Sequence, residues 1–424
     1  MVFIPFIGFL ALFIYYQKIN RRNFGVVSYL IAIYLASSFC AILLYYFFDY
    51  SSLHELDLAP TIYFVSVISL ILSGFFRYKD RNISGIVLSN IKLLKSIDFM
   101  MIPLSLAALL FFASEISIAL GGDIAANRNA VAAGDNFGLS KYGLFNSLFS
   151  LVANLFLLNL LFSFLNLSDG YPRRSAFRAV IHLVLSTVYI FYILAYIGRD
   201  GFVFWGMSFL FFFILFKDFI NSKDKQKIII GATILAIPAL LVFIQITVSR
   251  FGDDGMSGVL FALIDYSGQQ IFYFNDHFRI DPPPMYGLIG FEPVLNLISW
   301  LMGDTFHSFD RQDWFEYFLN RGVIPWTFVT FIGSFIHDFG KIGTIFVALL
   351  IYCSTKKTLA CIKNKKLLSL PNMIIFILIF QIVSWGVFYY RQYSAFYYLI
   401  AVLILFLLFK FSAKTEKIFI KKVR

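Results

Sequence analysis

Charge is what this chain has least of. Only 14% of its 424 residues are Asp, Glu, Lys or Arg, whereas 60% are hydrophobic and 20% aromatic, with 54 Phe. No soluble globular class has this balance, because too few polar side chains remain to cover a water-facing surface. Cysteine is nearly absent. Cys40, Cys353 and Cys361 fall in an apolar run, at the inner end of another and in a basic loop, which excludes an external disulfide framework. The five histidines, His54, His182, His277, His307 and His337, show no HxxxH or HExxH spacing, so no zinc site is expected. A P-loop, a dinucleotide-binding fingerprint and a nucleophile elbow are also missing. That removes nucleotide-driven chemistry, and no cofactor is expected. Inverted repeats of Gly- or Pro-broken helices, expected of many transporters, are not found either.

Long apolar runs are what the chain has in abundance. About 20 mainly apolar residues cross roughly 30 Å of hydrocarbon. Eleven spans are expected, at 2–17, 24–48, 60–76, 98–118, 144–167, 179–197, 201–220, 228–247, 341–353, 370–390 and 393–411. The expected fold class is therefore an all-α polytopic membrane protein, a single integral membrane domain over 1–424. The run at 341–353 is short and is expected to begin within the preceding FIGSFIHDFG. Positive charge follows the first run instead of preceding it, so this run reads as a retained span and not as a signal peptide.

Basic residues set the expected orientation. Of 35, 26 fall in alternate loops, in clusters at Lys18/Arg21/Arg22, Arg77 to Lys95, Arg173/Arg174/Arg178, Lys217 to Lys227, Lys356 to Lys366 and Lys410 to Arg424. These loops are expected to be cytoplasmic, with the N-terminus outside and the C-terminus inside. The other nine are Arg128, Lys141, Arg199, Arg250, Arg279, Arg311, Arg321, Lys341 and Arg391, seven of them Arg. A guanidinium presents a planar fork of donors that matches phosphate oxygens, whereas Lys is a flexible, well-hydrated point charge. The bias suggests an outer face that handles phosphate or pyrophosphate. The net charge of +11 lies in the cytoplasmic loops, and the outer segment 248–340 holds eleven acids against four Arg, so nucleic acid is not an expected partner.

Segment 248–340 is the longest outer loop. Its apolar runs alternate with breaks such as the three prolines after Asp281, which predicts short interfacial or re-entrant helices. Between Asn82 and Ser96, the spacing of Ile83, Ile86, Val87, Ile91 and Leu94 predicts an amphipathic helix on the inner leaflet.

Several residues in these loops can carry chemistry. Arg199 in the turn AYIGRDGFVFW, Arg250 at the outer end of a span and Arg391 in the last outer turn would lie at the depth of a lipid pyrophosphate. Each can instead snorkel or pair with a local acid such as Asp200 or Asp253. His337 or Asp338 can take a proton from an attacking hydroxyl, or the two can form a polar helix end before Gly340. Glu115 lies inside an apolar run, and His54-Glu55-Leu56-Asp57 forms an acidic stretch in the first outer loop. Trp300, Trp314, Tyr317 and Trp326 can stack on sugars or anchor at the membrane interface.

The run PWTFVTFIGSFIHDFGKIGTIF resembles the corresponding segment of bacterial oligosaccharide repeat-unit polymerases, the O-antigen or capsular (Wzy-type) polymerases. Gly198-Arg199 at the start of a span resembles the Gly/Ser-Arg start shared with the related O-antigen ligases. Arg250 stands where that superfamily places an Arg at the entry to its large external loop. Arg279 and Arg311, each eleven residues before Gly290 and Gly322, resemble an Arg-x10-Gly pattern of some glycan polymerases. The ligases' histidine motif is not reproduced around His337. The resemblance implies a GT-C-like helical architecture and glycosyl transfer on the outer face of the bacterial inner membrane. A glycan on undecaprenyl pyrophosphate would be moved onto the terminal sugar of a new lipid-linked repeat unit. On this reading Arg199, Arg250, His337 and Asp338 are catalytic, and Arg279, Arg311, Arg321, Arg391 and Glu292 hold pyrophosphate or glycan. Partners would be undecaprenyl-pyrophosphate-linked oligosaccharides, membrane lipid and a chain-length regulator. An O-antigen ligase, a polyprenyl-phosphate-dependent glycosyltransferase and a lipid-linked oligosaccharide flippase are the alternatives.

Overall fold

A computed structural model describes residues 1–21, 23–79, 82–119, 127, 143–172, 174–251, 255–291, 298, 311–325, 327–390, 396–412 and 417–422. Arg391 and Glu292 lie outside the described residues, and Arg250 and Arg311 are described by their backbone alone. In chain order the helices are α1 (Phe3–Ile19), α2 (Val26–Phe47), the single turn α3 (Tyr50–Leu53), α4 (Leu58–Ser73), α5 (Ile91–Ala119), α6 (Gly143–Asn154), α7 (Phe156–Leu167), α8 (Ala176–Ser186) and α9 (Val188–Ala195). They continue with α10 (Asp200–Phe216), α11 (Ser222–Phe251), α12 (Gly255–Gly268), α13 (Gln270–Ile280), α14 (Arg311–Leu319), α15 (Thr330–Lys365), α16 (Leu370–Trp385) and α17 (Phe396–Phe411). Among the described residues there are also a 3-10 turn (Gly74–Arg77) and three short strands: β1 (Gly85–Ser89), β2 (Leu367–Ser369) and β3 (Lys417–Lys421).

The architecture is mostly helical, because a helix satisfies its own backbone hydrogen bonds where no water can. Among the described residues five helical segments are long and apolar enough to cross a membrane: Val26–Phe47, Leu58–Arg77, Ile91–Ser117, Ala176–Ala195 and Thr330–Ala360. A sixth arises if Phe145–Asn154 and Phe156–Leu167, bent by 43°, count as one span. Phe3–Ile19, Asp200–Phe216, Leu370–Trp385 and Phe396–Phe411 are apolar but shorter. Exposed apolar stripes recur at helical spacing, as at Ile342, Phe346 and Leu350, and at Ile230, Ile234, Ile237 and Leu241. A surface of this kind suits hydrocarbon and not water.

The expected amphipathic helix over 82–96 is not formed. Residues Gly85–Ser89 are instead the central strand of a sheet of order β2-β1-β3, parallel to β2 and antiparallel to β3, so the all-α expectation needs this correction. The apolar spacing mixes two elements that meet at Asn90. That residue has φ 51°, and its Oδ1 accepts from the Leu93 N–H at 3.1 Å, capping the start of α5. Before the cap, Ile86 and Leu88 bury one face with the period of a strand. Gly85 allows close pairing, since a Cβ there would meet the Ile420 carbonyl at 2.9 Å.

Contacts divide the chain into two compact units, each assembled from separated stretches. One comprises Met1–Asn82, Leu260–Lys365 and Ile375–Ile400; the other comprises Ile83–Val259, Lys366–Ile374 and Ala401–Arg424. No linker-like composition marks these joins, which is why the sequence is read as one domain from 1 to 424.

The sheet belongs to the second unit and gathers several of its loops at one end. Lys422 pairs with Asp218 at 2.8 Å, the Asp169 N–H donates to the Phe219 carbonyl at 3.0 Å, and the Ser84 N–H donates to the Lys366 carbonyl at 2.7 Å. Segments from five of the six basic clusters therefore share that end. Nearby, a polar network ties α5, α7 and α8. His182 Nε2 meets Asp98 Oδ1 at 2.7 Å, His182 Nδ1 meets Asn159 Oδ1 at 3.0 Å, Asn159 donates to Ser105 Oγ at 2.8 Å, and Arg178 donates to the other Asp98 oxygen. Asp98, Asn159 and His182 are fully buried.

Removing one partner of a buried charged network leaves the others without compensation, at about 3 to 5 kcal/mol. Asp98→Ala is expected to lower the melting temperature in detergent micelles sharply, and Asp98→Asn less so. An unchanged melting temperature for Asp98→Ala would rule out the network as a stabilising element.

Candidate functional site

The first unit builds its site at a break in α15. Gly340 has φ 71° and ψ 174°, a conformation that glycine alone adopts without large strain, so the helix stops at Phe339 and a new one starts at Lys341. A helix end leaves its last carbonyls without partners. Here the segment after the three prolines supplies them: Met285 N–H donates to the His337 carbonyl at 3.1 Å and Gly287 N–H to the Asp338 carbonyl at 3.3 Å. The Asp338 carboxylate in turn accepts from Ile289 N–H at 3.3 Å and Gly290 N–H at 3.1 Å. Asp338, expected as a proton acceptor, thus anchors this loop, and it is fully buried.

His337 projects from the last turn before the break and is 4% exposed. Its Nε2 lies 3.0 Å from Nδ1 of His277 on α13. His277 Nε2 lies 3.1 Å from the Ile324 carbonyl, which can only accept, so Nε2 carries the hydrogen. Burial lowers the His277 pKa to about 4, so at neutral pH its Nδ1 is a lone pair that accepts the His337 Nε2–H. By elimination, the nitrogen of His337 able to take a proton is Nδ1. Trp314 and Phe318 pack against the His337 ring with centroids 5.1 Å away, and Phe318 stands 4.8 Å from His277. A cavity of about 280 Å³ adjoins the pair, lined by Ile289, Trp314, Pro325, Thr327, Phe328, Val329, Ser334, His337 and Tyr389. Aromatic faces and hydroxyls together suit a sugar ring, whose faces are apolar and whose rim is polar.

The loop between α2 and α4 closes one side of this unit. Asp57 N–H donates to Asn275 Oδ1 at 2.9 Å, His54 Nδ1 meets Asp276 Oδ2 at 2.7 Å, and Arg279 reaches Glu55 at 3.4 Å and Asp57 at 3.3 Å. The acidic stretch therefore faces Arg279. Among the described residues no group of three or more His, Cys, Asp or Glu converges to hold an ion. These contacts also set α13 at the N-terminal end of α4, opposite Arg77, about 30 Å away along the helical axis. Lys79, which donates to the Ile19 carbonyl at 3.2 Å, marks that opposite end beside the first basic cluster.

The remaining candidates lie on other elements. Arg321 is exposed and stacks 3.8 Å above the Tyr317 ring. Arg311 opens α14, and Arg250 is the penultimate residue of α11. Arg199, in the second unit, is 4% exposed at the start of α10. Its turn is tight: Gly198 N–H donates to the Ile193 carbonyl at 2.9 Å and Ile197 N–H to the Leu194 carbonyl at 2.8 Å, the paired bonds of a Schellman helix end. The left-handed position, usually glycine, is occupied by Ile197 at φ 55°, a conformation unfavourable to a β-branched residue and held by its complete burial. A Cβ at Gly198 or Gly201 would meet Ile193 at 2.6 or 2.7 Å, so both glycines flanking Arg199 are required by packing. Glu115 is 5% exposed on α5. His277 and Asp98 were not distinguishable by spacing, because their partners lie 60 and 84 residues away.

No protein-family model matches this chain, and neither a curated protein nor a solved structure matches it.

The folded-state pKa of His277, about 4, lies below the ordinary imidazole value of about 6.5. The unfolded chain therefore binds the proton first as pH falls. The contribution of neutral His277 is fully present above about pH 6.5 and declines between about pH 6.5 and 4, by about 3 kcal/mol. His277→Asn is expected to flatten this part of the melting-temperature profile. An equal acid slope in wild type and variant would exclude His277 as its origin.

Proposed function

We propose that this chain is a glycosyltransferase of the oligosaccharide repeat-unit polymerase type, an inner-membrane enzyme working on undecaprenyl-pyrophosphate-linked glycans at the outer face. The observation that carries the reading is the cavity beside His337, an imidazole whose proton-accepting nitrogen is set by His277. In the proposed reaction His337 Nδ1 takes the proton from the terminal sugar hydroxyl of a lipid-linked repeat unit. That oxygen attacks the anomeric carbon of the growing glycan, and the C–O bond to pyrophosphate breaks with its electron pair leaving on the phosphate oxygen. Charge builds on the leaving group, where fixed guanidinium donors stabilise it most. Arg199 and Arg250 are assigned to that role, with Arg311, Arg321 and Arg391 following. Arg279, engaged by Glu55 and Asp57, is assigned to holding the outer loops. The proposal takes eleven spans with the basic loops inside, the N-terminus outside and the C-terminus inside, so that His337 belongs to the outer end; the position of α13 at the end of α4 away from Arg77 supports this reading.

His337→Ala is expected to leave the protein in the membrane while slowing polymerisation by roughly 100-fold or more, the loss typical of a missing general base. In cells, this collapses a long glycan ladder to single repeats, as do Arg199→Ala and Arg250→Ala. A full ladder in the His337 variant would sink the assignment of the base. Deletion of the gene separates the alternatives: surviving single repeats mark the polymerase, loss of all attached glycan a ligase, loss of one side-branch sugar a polyprenyl-phosphate-dependent transferase, and accumulation on the inner leaflet a flippase.

A further inference from the structure

The three-stranded sheet turns one face to the core, and on its other face Gly85 and Ser89 of β1 are buried while the β3 side chains are exposed. Ile86, Leu88, Leu368 and Ile420 are buried. The register sets Lys421, Phe419 and Lys417 beside Gly85, Val87 and Ser89 on the opposite face. On β3 the alternation exposes Lys417, Phe419 and Lys421, and Phe419 is 52% exposed. Lys366, immediately before β2, is exposed as well. None of the three strands contains an acidic residue, and among the described residues neither Lys417 nor Lys421 has an acidic partner. The nearby acid Asp218 is engaged by Lys422.

The sheet is fixed at helix ends. A single residue separates β1 from α5, β2 runs directly into α16, and Ser89 Oγ–H donates to the Phe409 carbonyl of α17 at 3.4 Å. Because α5 begins a segment long and apolar enough to cross a membrane, a bilayer crossed by α5 would set this face at headgroup depth. An exposed aromatic ring flanked by long cationic side chains, with no acid on the three strands, costs free energy toward bulk water. It complements a layer of phosphates over hydrocarbon: the ring enters the interface while the ammonium groups meet the phosphates.

We propose that the outward face of the sheet, Lys417, Phe419 and Lys421 with Lys366, is a docking surface for anionic phospholipid headgroups. The proposal stands on the placement and charge of the sheet and is independent of the catalytic reading. Two measurements on the full-length protein test it. In nanodiscs, acetylation of Lys417 and Lys421, read by mass spectrometry, is expected to be slower with phosphatidylglycerol than with phosphatidylcholine alone, and the protection is expected to weaken with added salt. In detergent micelles, Lys417→Gln/Lys421→Gln is expected to lower phosphatidylglycerol affinity roughly 30-fold, about fivefold per lysine, with phosphatidylcholine binding unchanged and Lys417→Arg/Lys421→Arg binding as wild type. Equal labelling in the two lipids overturns the proposal, as does salt-independent protection, which would indicate a protein partner or a second copy on this face. The labelling arm uses wild-type protein and so holds even if the glutamine variant fails to fold.

Discussion

A helix interrupted in an apolar setting frees carbonyl groups that water cannot satisfy, and the break at Gly340 makes this the governing constraint of the first unit. The carbonyls of His337 and Asp338 must find donors, and the backbone of 285–290 provides two of them while the Asp338 carboxylate fixes two more N–H groups. The loop therefore cannot lie elsewhere without leaving buried polar groups unmade. Once it is clamped, Ile289 forms one wall of the cavity and His337 stands in the last turn before the break, beside His277. Backbone satisfaction comes first here, and the geometry of the histidine pair follows from it.

Desolvation then decides how the charged and titratable groups behave. His277 is nearly inaccessible and sits among aromatic rings, so it is neutral at physiological pH and serves as a hydrogen-bond acceptor for its neighbour. Asp98 is equally inaccessible, and its two carboxyl oxygens are engaged by Arg178 and His182 across helix boundaries. Arg279 and its acidic partners are largely exposed, and pairs of that kind orient loops more than they stabilise them.

Much of the architecture was legible in the sequence because hydrocarbon imposes a length and an apolarity that any chain must obey. A described helix occupies each of the apolar segments, and the candidate span over the short run at 341–353 reaches back through FIGSFIHDFG to Thr330, across the break at Gly340. The loop 248–340 does contain short helices, at Gly255–Gly268, Gln270–Ile280 and Arg311–Leu319. The stretch from Asn82 to Ser96 was misread because five apolar residues at helical spacing straddle a strand and a helix start. A window of that length has no way to register that Gly85–Ser89 meets partners near residues 368 and 419. Site residues divide in the same way: His337 stood out beside a glycine turn, whereas His277 did not.

By itself the sequence determined that this is a mostly helical chain with apolar segments able to cross a membrane, and that most of its basic residues fall in a few clusters between the apolar runs, since both depend on local composition alone. The tertiary structure decided which loops meet at the sheet, which acid pairs with Arg279, and which histidine orients His337. Those outcomes depend on contacts between residues far apart in the chain, whose energy comes from burial and from the directionality of hydrogen bonds. Neither is written in any local window of residues.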